Sequence, residues 1–214
     1  MIKTTSLTDA EVVQSIVAGE SALFEIIVRR YNPYLYKVGR GYNFSHEDTQ
    51  DLMQDSFVDA YRSLSQFEGR SNMKTWLVRI MLNHCYHRKN KSSYMNELHH
   101  EIHDDAVPMY ADSTKDTAHV VHNIELGKIV EQALSQLPED YRLVFSLREI
   151  NGHSVLETAA LLDTSETNVK VRLNRAKAML RQNIERTYSS EELFEFNAVY
   201  CDAMVQRVMN IILH

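Results

Sequence analysis

Residues 153–180 read HSVLETAALLDTSETNVKVRLNRAKAML, and no other stretch restricts the possible fold as strongly. Two helical apolar periods are separated by three polar residues. Ser154 opens the sequence S-V-L-E, a capping box closed by Glu157. Val155, Ala159 and Leu162 form the first apolar stripe. Asp163, Thr164 and Ser165 then break the period with residue types that favour turns and N-caps, and an Asp also tolerates the left-handed backbone region. In the second helix Val169, Leu173, Ala176 and Leu180 share one face at 100° per residue. Thr167, Val171, Asn174 and Arg175 lie opposite, flanked by Lys170 and Lys177. A helix with one buried face and one polar, basic face suits a DNA major groove, where early residues reach base edges and cations meet phosphates. A helical hairpin with a solvated face has the same pattern, so the stripe alone leaves both readings open.

The rest of the chain is also read as helical. Only 6 Gly and 3 Pro occur in 214 residues, and alternating strand patterns are scarce, which gives an all-α fold. Thr8 and Glu11 form a capping box for a helix to about residue 18, ended by Gly19. A second helix covers 21–40, with Leu23, Ile26, Ile27, Tyr31, Tyr34, Leu35 and Val38 inward and a possible kink at Pro33. Ser45 caps a third helix to about residue 64, with Leu52, Phe57, Ala60 and Tyr61 inward, and Ser71 caps a fourth running towards Lys91. Residues 92–120 have no sustained period and read as a linker. Helices resume over 121–136, and Pro138 starts the next one, to about Glu149. Residues 190–212 read as a final amphipathic helix containing Leu193, Phe194, Val199, Met204, Val205, Val208, Met209 and Ile212. This helix must bury its apolar side on its own domain, on a second copy or on a partner.

A net charge of −6 hides strong segregation. Residues 67–95 hold 6 basic and 1 acidic side chains, and residues 141–186 hold 8 and 5. Between them, residues 96–140 hold 2 and 10. Basic islands are the footprint of phosphate contact. In the first island Leu77, Val78, Met81, Leu82 and Cys85 form an apolar arc. Trp76, Arg79, Asn83, Tyr86, His87 and Asn90 gather opposite. Aromatic rings among cations and amides suit unpaired bases. Upstream, Asp48, Asp51 and Asp55 share one helix face beside Gln54; such a face repels phosphates and suits a basic protein.

The order of these parts resembles bacterial RNA polymerase sigma factors of the extracytoplasmic-function type. The stretch DLMQDSFVDAYRSLSQFEGRSNMKTWLVRIMLNHCYHRK is similar to that family's sigma-two domain, and LSQLPEDYRLVFSLREINGHSVLETAALLDTSETNVKVRLNRAKAMLR to its sigma-four domain. The resemblance implies two small helical domains, over 1–95 and 121–186, an acidic linker over 96–120 and a C-terminal extension over 187–214. It implies that Asp51, Gln54 and Asp55 dock on core RNA polymerase. Phe67, Arg70, Trp76, Arg79, Asn83 and His87 would recognise and open the minus-ten promoter element. Arg148, Thr167, Lys170, Val171, Asn174 and Arg175 would read the minus-thirty-five element. His87 stands where relatives often carry an acidic residue, and Asp163 where the turn often has Gly.

The resulting expectation is a promoter-specificity initiation factor without catalytic chemistry. Its partners would be core polymerase, promoter DNA and an anti-sigma factor. The alternative is a stand-alone helix-turn-helix regulator, which would bind its operator without polymerase. A third reading centres on His99, His100 and His103 as metal ligands, although the H-E-x-x-H spacing is absent and a flexible acidic linker is the preferred reading. No cofactor is implied. Apolar runs fall short of the ~18 residues a membrane span needs, the N-terminus has no signal-peptide core, and the two cysteines, Cys85 and Cys201, lack metal-like spacing. The expected setting is the cytoplasm.

Overall fold

The structure, a computed structural model, describes residues 7–91 and 127–187. The expected linker, its histidines, the C-terminal helix and Cys201 lie outside the described residues. Within them the elements are all helical. The first four helices are α1 (Asp9–Val17), α2 (Phe24–Gly41), α3 (His46–Ser63) and α4 (Met73–Asn90). Then come α5, helical over residues 127–135, α6 (Glu139–Phe145), α7 (Val155–Leu161) and α8 (Glu166–Thr187).

Local chemistry sets most boundaries. Thr8 and Glu11 close the expected capping box on α1. Ser45 caps α3 through the Asp48 N–H. The cap of α4 is Asn72 rather than Ser71: its side chain accepts from the Thr75 N–H at 2.7 Å. Pro33 sits inside α2 without ending it. A single 3-10 turn, Ser21–Leu23, precedes α2 where a continuous helix was expected. Pro138 is the N-cap of α6, which does not run on to Glu149 as an α-helix. It widens into a π turn over Ser146–Ile150, closed by Asn151 N–H to Ser146 O at 2.9 Å. Periodicity cannot announce such a turn, because it keeps the chain helical while shifting the register by one residue.

Helices α2, α3 and α4 pack around a common core. Leu77, Val78, Met81 and Cys85 are fully buried on α4, as their arc predicts. Each such apolar side chain contributes roughly 1.5–3 kcal/mol. Tyr61 departs from its expected inward position: it is 43% exposed, with its ring edge on Phe24. Gly39 lets α3 approach α2, since a Cβ there would stand 2.6 Å from Thr49 Cγ2.

The later helices form a smaller cluster, with Leu134, Leu137, Val144, Val169 and Ala176 buried. It is not detached. Leu143 and Leu147 join the core of the first four helices, and Leu161 and Leu162 pack at its edge.

Candidate nucleic-acid and polymerase interfaces

The helix-turn-helix forms as its sequence suggests. Ser154 and Glu157 complete the capping box of α7. Asp163 occupies the left-handed region at φ 47°, the position where a Gly would be easiest. Ser165 Oγ then accepts from the Asn168 N–H and starts α8. Val169 and Ala176 are fully buried. Thr167, Lys170, Val171, Asn174 and Arg175 are all exposed, and Val171 is a large apolar side chain left 42% open. The neighbouring cations hold the unit together instead. Arg172 pairs with Asp140 at 2.9 Å, and Lys177 with Glu149 at 3.0 Å. Arg148 stands apart from the exposed edge: half-buried, it donates to the His153 carbonyl and braces the loop before α7.

The second basic surface is built on α4 and the loop before it. Phe67 and Trp76 are half-buried, with ring centroids 5.1 Å apart. With Gln66, Glu68, Gly69, Arg70 and Ser71 they line a cavity of about 220 Å³. Gly69 takes φ 69°, which allows the loop to fold back over the rings. Arg70 is exposed and paired only with its neighbour Glu68, a surface contact worth ~0–1 kcal/mol and easily exchanged for a phosphate. Asn83 and His87 are exposed further along α4. Tyr86 lies against His87, centroids 5.9 Å apart, and is 60% exposed. Tyr86 falls on this same polar side of the helical wheel.

Arg79 is exposed too, yet one Nη donates to Ala160 O of α7 at 3.4 Å. Thr75 and Asn72, at the start of α4, meet Glu157 of α7. The Ser154 backbone N–H, helped by Thr75 and Asn72, holds the Glu157 carboxyl down at about 2. His153 is wholly buried beside Thr75. Burial, aided by the Lys74 charge, lowers its imidazole to about 4, so it is neutral at pH 7. No local sequence pattern announces these cross-contacts.

On α3, Asp51, Gln54 and Asp55 are exposed along one face, continued by Val58 at 41% exposure. Asp48 is excluded from it by Arg88, which donates at 2.7 Å. Cys85 is buried and its thiol is pushed up by desolvation, which makes it inert. Among the described residues no group of three or more His, Cys, Asp or Glu could hold a metal ion, and no helix is long and apolar enough to cross a membrane.

Two family models match the chain: Sigma-70 region 2 over residues 27–93 and Sigma-70, region 4 over residues 127–180. The ECF RNA polymerase sigma-E factor of Salmonella typhimurium is 30% identical over 185 residues, spanning 84% of this chain and 95% of that protein. The Escherichia coli K12 protein of the same name is equally similar, at 30% identity over the same shares. Among solved structures, CnrH in complex with the cytosolic domain of CnrY has 25% identity and a TM-score of 0.57, covering 83% of this chain and 97% of that one. The sigma factor RpoE of Bartonella quintana, in complex with the anti-sigma factor NepR, shares the fold at a TM-score of 0.59 and 22% identity, covering 76% and 96%.

Proposed function

We propose a division of labour among the parts of this chain. The chain belongs to the ECF sigma-factor family of bacterial RNA polymerase, and it is a promoter-recognition initiation factor. In the proposed division, residues 1–95 dock on polymerase and handle the minus-ten element. Residues 121–186 read the minus-thirty-five element, residues 96–120 connect the two, and residues 187–214 are an extension. The protein works without catalytic chemistry of its own, in the cytoplasm, where the polymerase is.

One observation carries the reading: two separate basic surfaces exist, and they differ in shape. The exposed edge of α8 is convex and rich in donors, with Lys170, Asn174 and Arg175 beside the apolar Val171. That fits base edges and the thymine methyl in a major groove. The α4 surface has a cavity with two aromatic rings. That fits a base taken out of the stack, held by a ring with cations along the backbone. A protein that both reads duplex and holds unpaired bases is suited to opening a promoter. A stand-alone regulator would need only the first surface, so that alternative is not favoured. Asp51, Gln54, Asp55 and Val58 offer a basic partner an acidic face with an apolar end, which supports polymerase docking there. By family kinship, an anti-sigma factor is the expected antagonist.

The test is transcription with purified core polymerase on DNA upstream of the chain's own gene. Specific initiation that needs this protein, and is lost when Lys170 and Arg175 become Ala, supports the assignment. Tight duplex binding by the protein alone, with no initiation, would overturn it.

A further inference from the structure

Among the described residues, the helix-turn-helix unit buries its apolar side chains less completely than the first four helices do. Their core has 22 buried apolar residues with 12 half-buried ones around it. The cluster between α5, α6, the π turn and α8 reverses that balance. Only Leu134, Leu137 and Ala176 are buried there, and Val130, Tyr141, Phe145, Ile150, Met179 and Leu180 are half-buried around them. Each of the six forgoes part of the stabilisation that full burial brings. Met179 and Leu180 share the α8 face of Ala176, opposite the edge that carries Lys170, Asn174 and Arg175. A cover over this face would leave that edge open to DNA. It would have to be apolar on one side only and able to reach the last turns of α8.

The chain carries such a segment directly after α8. That helix ends at Thr187. Ser189, Ser190, Glu191 and Glu192 then form the S-x-x-E pattern of a capping box, which starts a new helix rather than lengthening α8. The connection is Tyr188 and Ser189, and links this short join antiparallel neighbours. At 100° per residue Leu193, Phe194, Met204, Val205, Val208 and Ile212 fall within an arc of about 120°. Glu192, Glu195 and Asp202 lie opposite. Residues 190–212 as a helix and α8 are each roughly 33–35 Å long, at ~1.5 Å per residue, so a fold-back matches the face in length. The charges at the turn agree as well. The segment opens with Glu191, Glu192 and Glu195, and the last turn of α8 carries the exposed Arg186. Residues 187–214 hold 1 basic and 4 acidic side chains, which disfavours a nucleic acid as the occupant's own partner.

We propose that residues 190–212 fold back along α8 and cover the half-buried face formed by Val130, Tyr141, Phe145, Met179 and Leu180. The segment completes the small core of the helix-turn-helix unit and braces α8 from the side away from DNA. Cys201 falls within the same apolar arc, so its thiol is covered with the rest. A second copy or another protein could bury the stripe, but neither accounts for a two-residue connection that sets it beside an open face of its own unit. The docking does not depend on the function proposed above.

Two measurements on the full chain test this. In the first, Phe194 is replaced by p-benzoylphenylalanine in a mixture of unlabelled and nitrogen-15-labelled chains, and the light-induced cross-links are mapped by mass spectrometry. A turn at residues 188–189 sets Phe194 beside the last turns of α8, so links to Met179, Leu180 or Val130 within one chain are expected. Links between light and heavy chains would overturn the proposal in favour of a second copy. Links to any other surface, or none, would overturn it too. In the second, Cys201 is reacted with Ellman's reagent, with Cys201→Ser reporting what the buried Cys85 contributes. The parent thiol should react at least tenfold more slowly than in the Val205→Glu, Val208→Glu protein, whose stripe carries two charges. Both substitutions lie outside the helix-turn-helix unit, and circular dichroism should show its helices kept. Equal rates in the two proteins, whether fast or slow, would contradict a docked segment. Neither measurement uses polymerase or DNA, so each judges the docking apart from the assigned function.

Discussion

Helices α4 and α8 are the two basic helices, and they differ in what covers them. Each buries one apolar stripe, Leu77, Val78, Met81 and Cys85 on α4, Val169 and Ala176 on α8. The polar edge of α8 is open from Thr167 to Arg175. The polar edge of α4 is open at Arg79 and from Asn83 onward, but its first two turns meet α7 and the loop before it through Asn72, Lys74, Thr75 and Arg79. The α8 edge is therefore open as it stands, whereas the start of α4 is engaged by another part of the chain. The comparison also explains an acidic chain with two basic islands: one island is partly engaged by its own protein.

The largest effect should come from removing the open edge. Lys170→Ala with Arg175→Ala should cost about 1–3 kcal/mol per base-reading contact. Binding of polymerase with this protein to a minus-thirty-five duplex should fall at least tenfold in a filter or gel assay. Helicity should not change, because both side chains are exposed. An unaltered affinity would break the comparison at its α8 end.

The covered side should respond to pH. His153 is held neutral, with its pKa lowered from 6.5 to about 4. Below pH 6.5 the unfolded chain takes up a proton that the folded one refuses. The stability associated with His153 is therefore full above pH 6.5 and falls as pH drops towards 4, by up to ~3 kcal/mol. Urea unfolding between pH 7 and pH 4.5 should show the loss, and His153→Gln should flatten it. Glu157 acts in a lower window: its stabilisation is present above pH 4.5 and is lost as pH falls towards 2.

Trp76→Ala should cost about 1–3 kcal/mol of stacking on an unpaired base. Open-complex formation should drop roughly 5- to 150-fold, with duplex binding kept. Trp76→Phe should recover most of it. The smallest effect is expected at the acidic face of α3, where Asp51→Asn with Asp55→Asn should slow association with core polymerase several-fold at low salt and little at high salt. Stopped-flow mixing at two salt concentrations would measure it.

The two helices also differ in how far the sequence exposed them. The exposed edge of α8 was legible because local rules sufficed: two caps, a turn that tolerates Asp163, and a 3.6-residue stripe. The buried arc of α4 was legible for the same reason. What covers α4 was not, since Glu157 lies 85 residues from Asn72 in the chain and no periodicity links them. Gly39 and Gly41 stand where other parts of the chain approach α2 closely, and composition cannot say what approaches. Tyr61 failed inward because a ring at a helix edge can pack by its rim and stay half in water. Arg148 is matched by position to DNA contact, yet one Nη donates to the His153 carbonyl, a partner on the loop after the π turn that the sequence did not reveal.

The most direct test of two separable surfaces is promoter melting, followed by 2-aminopurine fluorescence in the minus-ten region with core polymerase present. The account predicts that Trp76→Ala stays bound and fails to melt, while the Lys170 and Arg175 double variant binds poorly yet melts the template normally once its concentration is raised enough to restore binding. Equal loss of binding and melting in both variants would contradict it.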